Sequence, residues 1–318
     1  MCTILLFNPS IYAQSCLNGI SVWALKVLPL LFPFFVLTRI IVGLSSQKQS
    51  FMDKFWNKCY NVQSYGFSTF FLSTLAGYPM GAKLISNLYE NGQVDSVQAK
   101  KMLSFCSVSG PMFMLGTVGI AILKSPKAGM LILISNIIAS IVNGLLYRGK
   151  SNPTTTLKSY NPKEKTNLLS DSVYDSLISI LMVGSYIVLS FLIIDILQNL
   201  HITQFLSSVV CSVFQCRQEQ HVVISVINGF FEITRGIIDL SACNLSLKFK
   251  TIISSTLIGF GGISILMQSL NFLSKLKVSV KTVLKQKTTQ AVLCCAISTL
   301  LCCVFMWYTY SNRLTIHY

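Results

Sequence analysis

Residues 76–83 read Ala-Gly-Tyr-Pro-Met-Gly-Ala-Lys and lie inside an apolar run that extends from about 66 to 91. Two glycines and a proline interrupt helical hydrogen bonding, and a lysine follows within the same run. In lipid, each unpaired backbone N–H or C=O group costs several kcal/mol, so breaks persist only inside protein or beside a wet cavity. The stretch therefore predicts a membrane protein with an interrupted segment at an internal cavity.

The composition agrees with a membrane environment. The 318 residues are 52% hydrophobic and 11% charged, with a mean hydropathy of +0.62, whereas soluble domains carry roughly 25% charged residues. We expect an all-α polytopic protein with a single membrane domain over residues 1–318. The segments long enough to enter a bilayer lie at about 17–44, 66–91, 103–123, 128–148, 173–198, 221–245, 251–274 and 289–310.

Several function classes have no support in the residues. The net charge of +15 is spread over short loops between apolar runs, which is typical of membrane topology signals rather than of nucleic-acid binding. The sequence shows no nucleophile with a base, no phosphate-binding loop and no zinc-type spacing of its 11 cysteines and 3 histidines. We therefore expect neither an enzyme nor a resident cofactor or metal. Residues 3–12 are predicted to form an interfacial or partly inserted segment rather than a cleaved signal.

A polar linker at 149–171 divides the chain into repeat one, at about 17–148, and repeat two, at about 172–311. Gly110 follows Gly77 by 33 residues, and Gly262 follows Gly229 by the same interval. Paired interruptions at corresponding places in two halves are typical of transporter binding sites. The alternative is that these glycines only permit close helix packing.

The distribution of charge predicts the topology. If 66–91 and 221–245 are re-entrant helical hairpins, each followed by a broken transmembrane helix, each repeat crosses the membrane three times and the repeats are inverted. Loops 45–63, 91–102, 148–171 and 275–287 then share one side with 15 lysines and arginines, against 6 on the other. The positive-inside rule places these loops in the cytoplasm.

Charged residues within the apolar runs define the candidate site, because such residues normally face a cavity or a partner. Lys83 follows Gly77 by six residues, and Arg235 follows Gly229 by the same interval. These two cations are predicted to converge on an anionic substrate. Glu232 and Asp239 are spaced to pair with Arg235 on one helix face. The alternative is a neutral structural pair, with Lys83 near the interface. The predicted substrate-binding residues are Lys83, Arg235, Gly77, Tyr78, Pro79, Gly81, Ser109, Gly110, Asn228, Gly229, Glu232, Thr234, Gly261, Gly262 and Gln268.

Four polar residues receive structural predictions instead. Arg39 and Asp195 lie near segment ends and are expected to snorkel or cap. Asn136 and Asn143 are expected to form interhelical hydrogen bonds.

Several motifs resemble the YlbJ (SpoVV) family of sporulation integral membrane proteins, which is grouped with the nucleoside-recognition Gate domain proteins. The similarity extends from about residue 17 to residue 310, and residues 77–83 are its most specific part. The motifs are Leu31-Phe32-Pro33-Phe34-Phe35-Val36-Leu37, Gly77-Tyr78-Pro79-Met80-Gly81-Ala82-Lys83, Ser109-Gly110-Pro111 with Phe113 and Gly116, Glu232-Ile233-Thr234 with Gly236, and Gly259-Phe260-Gly261-Gly262 with Gln268.

This resemblance implies secondary transport of dipicolinic acid across the outer forespore membrane during endospore formation. The related concentrative nucleoside transporters pair a hairpin with a broken helix in each inverted repeat and form trimers, so a homo-oligomer is a further expectation. Their sodium- and nucleoside-binding motifs are not evident in this chain. There are two alternatives to this function: a membrane assembly or scaffold protein of sporulation, and a transporter of nucleosides or cations. Transport could be coupled either to protons or to sodium.

Overall fold

A computed structural model describes residues 9–44, 51–62, 65–149, 167–214, 220–274, 276 and 278–315. Within these ranges the chain is helical with connecting turns and contains no strand, so the prediction of an all-α protein is confirmed. Of the predicted interfacial segment, residues 3–8 lie outside the described ranges. Residues 9–12 belong to the first helix.

The first half contains the helices α1 to α7. Helix α1 runs without interruption through Pro9–Val22, a π-helical stretch Trp23–Val27 and Leu28–Leu44. The helices that follow are α2 (Phe51–Tyr60), α3 (Gly66–Ala76), α4 (Met80–Glu90), α5 (Ser96–Cys106), the π-helical α6 (Met112–Ile122) and α7 (Pro126–Leu146).

The second half repeats this order of elements. Its helices are α8 (Leu168–Asn199), α9 (Ile202–Phe214), α10 (Gln220–Phe231), α11 (Ile233–Ala242), α12 (Leu247–Phe260), α13 (Gly262–Leu273) and α14 (Val280–Thr315). Each half thus has a long helix, a shorter one, two pairs that are each joined at a break, and a closing long helix.

Five helical segments of the described chain are long and apolar enough to cross a membrane. They are Pro9–Ile41, Pro126–Leu146, Leu168–Asn199, Leu247–Ser269 and Val280–Val304. A multi-pass membrane protein is therefore supported by length and composition. Most of the remaining apolar runs are divided into helices too short to span alone, because their glycine, proline or acidic residues interrupt them.

Three details of the segment prediction were wrong. Ile202–Phe214 is an apolar helix, although the sequence analysis assigned no segment between 198 and 221. Phe51–Tyr60 is helical within the predicted loop 45–63. Val280–Thr315 begins inside the predicted loop 275–287, because its lysines occupy only part of the helix surface.

The α10 and α11 helices pack antiparallel around a break at Glu232. Asn228 Nδ2 donates to Asp239 Oδ2 at 2.8 Å, and a β-carbon on Gly236 would lie 2.2 Å from Gly229 Cα. The contacting positions run in opposite directions from the break, so this segment is a helical hairpin. The α3 and α4 helices also contact each other, since a β-carbon on Gly81 would lie 3.1 Å from Ser73 Cβ.

An aromatic cluster attaches α2 to the first half. Trp56 stacks on Tyr60 and on Phe70, with ring centroids 4.7 and 5.0 Å apart. Burial raises the pKa of Tyr60 to about 12, so its hydroxyl remains a donor to Ile141 O at 3.0 Å. Rings packed this closely stabilise a short helix that would be marginal alone.

Two further apolar clusters join the halves. Met114, Val118 and Ile132 of the first half pack with buried isoleucines of α11 and α12. Leu31 and Phe35 of α1 belong to a cluster with α8. The prediction of interhelical bonds for two asparagines is confirmed: Asn136 Nδ2 donates to Ser255 Oγ at 3.1 Å, and Asn143 Nδ2 donates to Ser104 O at 2.8 Å. The halves therefore share one interior.

Parts of the four predicted cytoplasmic loops meet at one end of the molecule. Asn61 Nδ2 donates to Gly149 O at 2.9 Å, and Lys101 Nζ donates to the same carbonyl at 3.1 Å. Ser96 Oγ donates to Leu276 O at 3.2 Å. These bonds connect segments from 45–63, 91–102, 148–171 and 275–287.

Candidate functional site

The two glycine pairs predicted from their 33-residue spacing are in contact. A β-carbon on Gly77 would lie 2.5 Å from Gly110 N, and one on Gly262 would lie 3.4 Å from Gly229 O. In each half, the break of the first helix pair therefore touches the break of the second. At Gly77 the neighbouring backbone lies too close to admit a β-carbon, which explains why glycine is needed there.

A central cavity lies beside these breaks and is lined by both halves. Its first-half walls include Gly77, Tyr78 and Gly110, and Glu232 belongs to its second-half walls. Seven of the predicted site residues line it: Gly77, Tyr78, Ser109, Gly110, Glu232, Thr234 and Gln268. The apolar side chains of Phe34, Phe35 and Phe113 also line this space, and an apolar lining with a few polar groups is typical of a small-molecule site.

The Glu232 side chain caps the second half-helix. It is 5% exposed and accepts a hydrogen bond from Arg235 N at 2.6 Å. The predicted side-chain pair between Glu232 and Arg235 is therefore wrong as an ion pair, because the contact is made by the backbone N–H of Arg235. A carboxylate at this position satisfies an orphan donor and faces the helix dipole.

Arg235 has carboxylate partners on two helices. Its Nε lies 3.2 Å from Asp239 Oδ2, so the predicted i,i+4 pair is confirmed. Its Nη2 lies 3.3 Å from Asp195 Oδ1, which shows that Asp195 pairs rather than caps or snorkels. The guanidinium also lies 5.0 Å from the centroid of the Phe191 ring. These contacts attach α11 to α8, and Arg235 does not line the central cavity.

Lys83 lines a second cavity, together with Tyr78, Pro79, Asp175 and Ser179. Tyr78 also lines the central cavity, so it is common to the two spaces. Lys83 and Arg235 therefore lie in different surroundings among the described residues.

Arg39 pairs across helices rather than capping or snorkelling. Its Nη1 lies 2.5 Å from Asp175 Oδ2, and its Nη2 donates to Ser179 Oγ at 2.7 Å. The prediction missed this pair because its members are separated by 136 residues.

Lys287 is a buried cation that sequence reasoning did not select. It lies on α14, is 6% exposed, and donates to Ser107 O at 2.7 Å and to the Tyr78 hydroxyl. Its ammonium lies 4.2 Å from the centroid of the Tyr78 ring. We counted it as a loop lysine. Lys287 is separated by three or four residues from the buried Val283 and Gln290, and Cys294 follows one turn later. This helical spacing was the sequence signal that could have placed Lys287 on a buried helix face.

A third cavity is lined by Lys287 and by Ser107, Gly262, Gln286 and Gln290. It adjoins Tyr78 through Lys287, which donates to the Tyr78 hydroxyl. A β-carbon on Gly261 would lie 3.5 Å from this hydroxyl. Tyr78 thus lines the first two cavities and contacts a residue that lines the third.

The other predicted residues lie around these spaces. A β-carbon on Gly81 would lie 2.2 Å from Cys106 O, so Gly81 packs against the end of α5. Asn228 contacts Asp239, and Gly229 packs on Gly262. In the described part of the chain, no group of three histidine, cysteine, aspartate or glutamate residues could hold a metal ion.

Comparison with known proteins now adds to this geometry. The chain is 27% identical over 303 residues to the sporulation integral membrane protein YlbJ of Bacillus subtilis, covering 86% of this chain and 73% of that protein. The chain is thus similar to YlbJ over most of its length. The resemblance to the YlbJ family is thereby confirmed. YlbJ is named an integral membrane protein, and the long apolar helices of this chain agree with that description. No protein-family model and no solved structure matches the chain.

Proposed function

We propose that this chain is a secondary transporter that moves a small organic anion, dipicolinate, across the outer forespore membrane during endospore formation. The observation that carries the proposal is the central cavity lined by interrupted segments from both halves. A transporter needs a substrate site between elements that can move against each other. The similarity to YlbJ, a sporulation protein by name, supports the cellular setting.

The order of helices supports a duplicated architecture. The touching pairs Gly77 with Gly110 and Gly229 with Gly262 occupy equivalent places. We propose that the halves are inverted repeats and that both helix pairs around the first breaks are re-entrant hairpins. Alternate exposure of the central cavity would follow from movement of these hairpins relative to the long helices.

The cavity chemistry suits a planar aromatic anion. Phe34, Phe35 and Phe113 offer ring faces, and Ser109, Thr234 and Gln268 offer hydrogen-bonding groups. Lys83 supplies a cation in the second cavity, which Tyr78 also lines. Arg235 instead has two carboxylate partners, so we assign it to holding the second hairpin in place.

Glu232 supports coupling to protons. An ionised Glu232 and a substrate carboxylate in one cavity would repel each other strongly, because little water is present to screen them. Protonation of Glu232 removes this repulsion. We therefore propose that substrate and a proton occupy the cavity together.

The orientation is proposed from charge. The loops that meet at one end hold most of the lysines and arginines, so this end is assigned to the cytoplasm. Cysteines introduced at Lys54 and Lys285 would then react with a membrane-impermeant maleimide only from the cytoplasmic side. A cysteine introduced at Lys124 would react only from the opposite side.

Uptake into proteoliposomes tests the function. Labelled dipicolinate and uridine are offered separately under a proton gradient, a sodium gradient or neither. We expect dipicolinate uptake driven by the proton gradient. Uridine uptake alone would establish the nucleoside alternative, and absence of both would favour an assembly or scaffold role.

A further inference from the structure

The Lys287 ammonium has only neutral partners in the structure. It donates to Ser107 O and to the Tyr78 hydroxyl, and no carboxylate of the described residues lies within 4.0 Å of it. Arg39 and Arg235, by contrast, each have a carboxylate partner. A buried charge without a counter-charge is costly in a membrane interior. Such a group is suited to an anion that arrives as a ligand.

A second donor accompanies Lys287 on the same face of α14. Gln290 is 1% exposed and lines the same third cavity, and its side-chain Nε2 has no hydrogen-bond partner among the described residues. Buried amide groups are normally satisfied, so an orphan donor requires an explanation. One turn of helix separates the two residues, so both can donate to the two oxygens of one carboxylate.

Tyr78 connects this pair with the central cavity. Its ring lines the central space, and its hydroxyl oxygen accepts a hydrogen bond from Lys287. Gly261 lies beside the contact, where a β-carbon would be 3.5 Å from Tyr78 Oη and 3.7 Å from Lys287 Nζ. The hydroxyl also donates to Ser107 O at 2.8 Å, a hydrogen bond that breaks when the Tyr78 side chain rotates. Its position beside Lys287 can then be taken by another oxygen.

We propose that Lys287 and Gln290 form a carboxylate-binding subsite, in which one carboxylate of the transported anion replaces the Tyr78 hydroxyl on Lys287. This inference rests on the proposed transport function and specifies its ligand class, an aromatic acid with a carboxylate at its edge. The ring then lies toward the central cavity, and the second carboxylate of a dicarboxylate lies away from Lys287. The exchange replaces a neutral acceptor by a charged one, which strengthens the hydrogen bond.

Binding of labelled dipicolinate to the purified full-length protein in detergent tests the subsite. The variants are Lys287→Gln, Lys287→Arg and Gln290→Leu, and Lys285→Gln on the exposed face of the same helix is the matched control. We expect Lys287→Gln to weaken binding about tenfold or more, as for loss of a charged hydrogen bond. We expect Lys287→Arg to retain most affinity, and Lys285→Gln to match the unaltered protein.

The outcomes separate the two proposals. If the unaltered protein binds dipicolinate and Lys287→Gln binds equally well, the subsite is wrong and the transport proposal stands. If Lys287→Gln does not elute as a monodisperse protein, Gln290→Leu decides: weaker binding of dipicolinate supports the subsite, and unaltered affinity overturns it.

If the unaltered protein neither binds nor transports dipicolinate, the transport proposal fails. The subsite is then tested with benzoate as the probe, through its protection against thermal unfolding. Protection that is lost in Lys287→Gln and kept in Lys285→Gln supports the subsite. Absence of protection in the unaltered protein overturns it.

Discussion

Gly77 and Gly110 are in backbone contact, so that a β-carbon on Gly77 would lie 2.5 Å from Gly110 N. The relation is asymmetric, because the nearest atom to a β-carbon on Gly110 lies 3.5 Å away. Gly77 also has φ +69° and ψ −168°, a region that is essentially restricted to glycine. The break at Gly77 is therefore held against the break at Gly110 at a position where only glycine fits.

Replacement of the two glycines should have unequal effects. We expect Gly77→Ala to destabilise the fold by about 2–4 kcal/mol, from backbone strain and steric overlap together. Gly110→Ala is the matched control, because its β-carbon makes an ordinary contact. Thermal unfolding in detergent measures both. Equal unfolding temperatures for the two variants would contradict the described contact.

The ion pair between Arg235 and Asp195 should stabilise the link from α11 to α8. The two side chains are 19% and 18% exposed, so solvent screens the pair only in part. We expect a coupling energy of about 1–2 kcal/mol in a double-mutant cycle of Arg235→Gln with Asp195→Asn. The control cycle uses Asp171→Asn, on an exposed part of the same helix. Similar coupling in both cycles would refute a specific pair.

Removal of the Tyr78 hydroxyl should favour the ligand. Tyr78→Phe keeps the ring beside Lys287 and removes the hydroxyl that competes with a carboxylate. We expect the dissociation constant for dipicolinate to fall about two- to fivefold, a modest hydrogen-bond effect. Tyr60→Phe is the control, since its hydroxyl donates to Ile141 O away from the cavities. Weaker binding by Tyr78→Phe would show that the hydroxyl contacts the ligand instead.

Glu232→Gln separates the proposed proton carrier from the helix cap. The amide oxygen can still accept from Arg235 N, so stability should be largely kept, whereas Glu232→Ala should lose about 1 kcal/mol. A permanently neutral side chain cannot release a proton. We expect dipicolinate counterflow by Glu232→Gln without stimulation by a proton gradient. Undiminished stimulation would exclude Glu232 as the carrier.

The interrupted segments could be predicted because their causes are local. Gly77, Pro79 and Gly261 each impose a backbone conformation that ends a helix, so hydropathy with glycine and proline positions was enough. The equal spacing from Gly77 to Gly110 and from Gly229 to Gly262 also identified two pairs of glycines, and the members of each pair are in contact.

The ionic contacts could not be predicted from spacing alone. Arg235 pairs with Asp195 and Arg39 with Asp175 across 40 and 136 residues, and such pairs depend on how helices pack. Lys287 was missed for a different reason: neighbouring lysines made its segment resemble a loop. The helical spacing of Val283, Lys287, Gln290 and Cys294 was the signal that could have placed it on a buried helix face.

The central claim is that the cavity shared by both halves is the substrate site. The measurement is dipicolinate uptake by proteoliposomes containing the unaltered protein, Ser109→Phe or Thr234→Phe, at equal amounts of inserted protein. Each substitution fills the cavity from a different half. The account predicts robust uptake by the unaltered protein and a loss of about tenfold or more in each variant, as expected when a bulky side chain displaces the ligand. Undiminished uptake in both variants, or none in the unaltered protein, would contradict it.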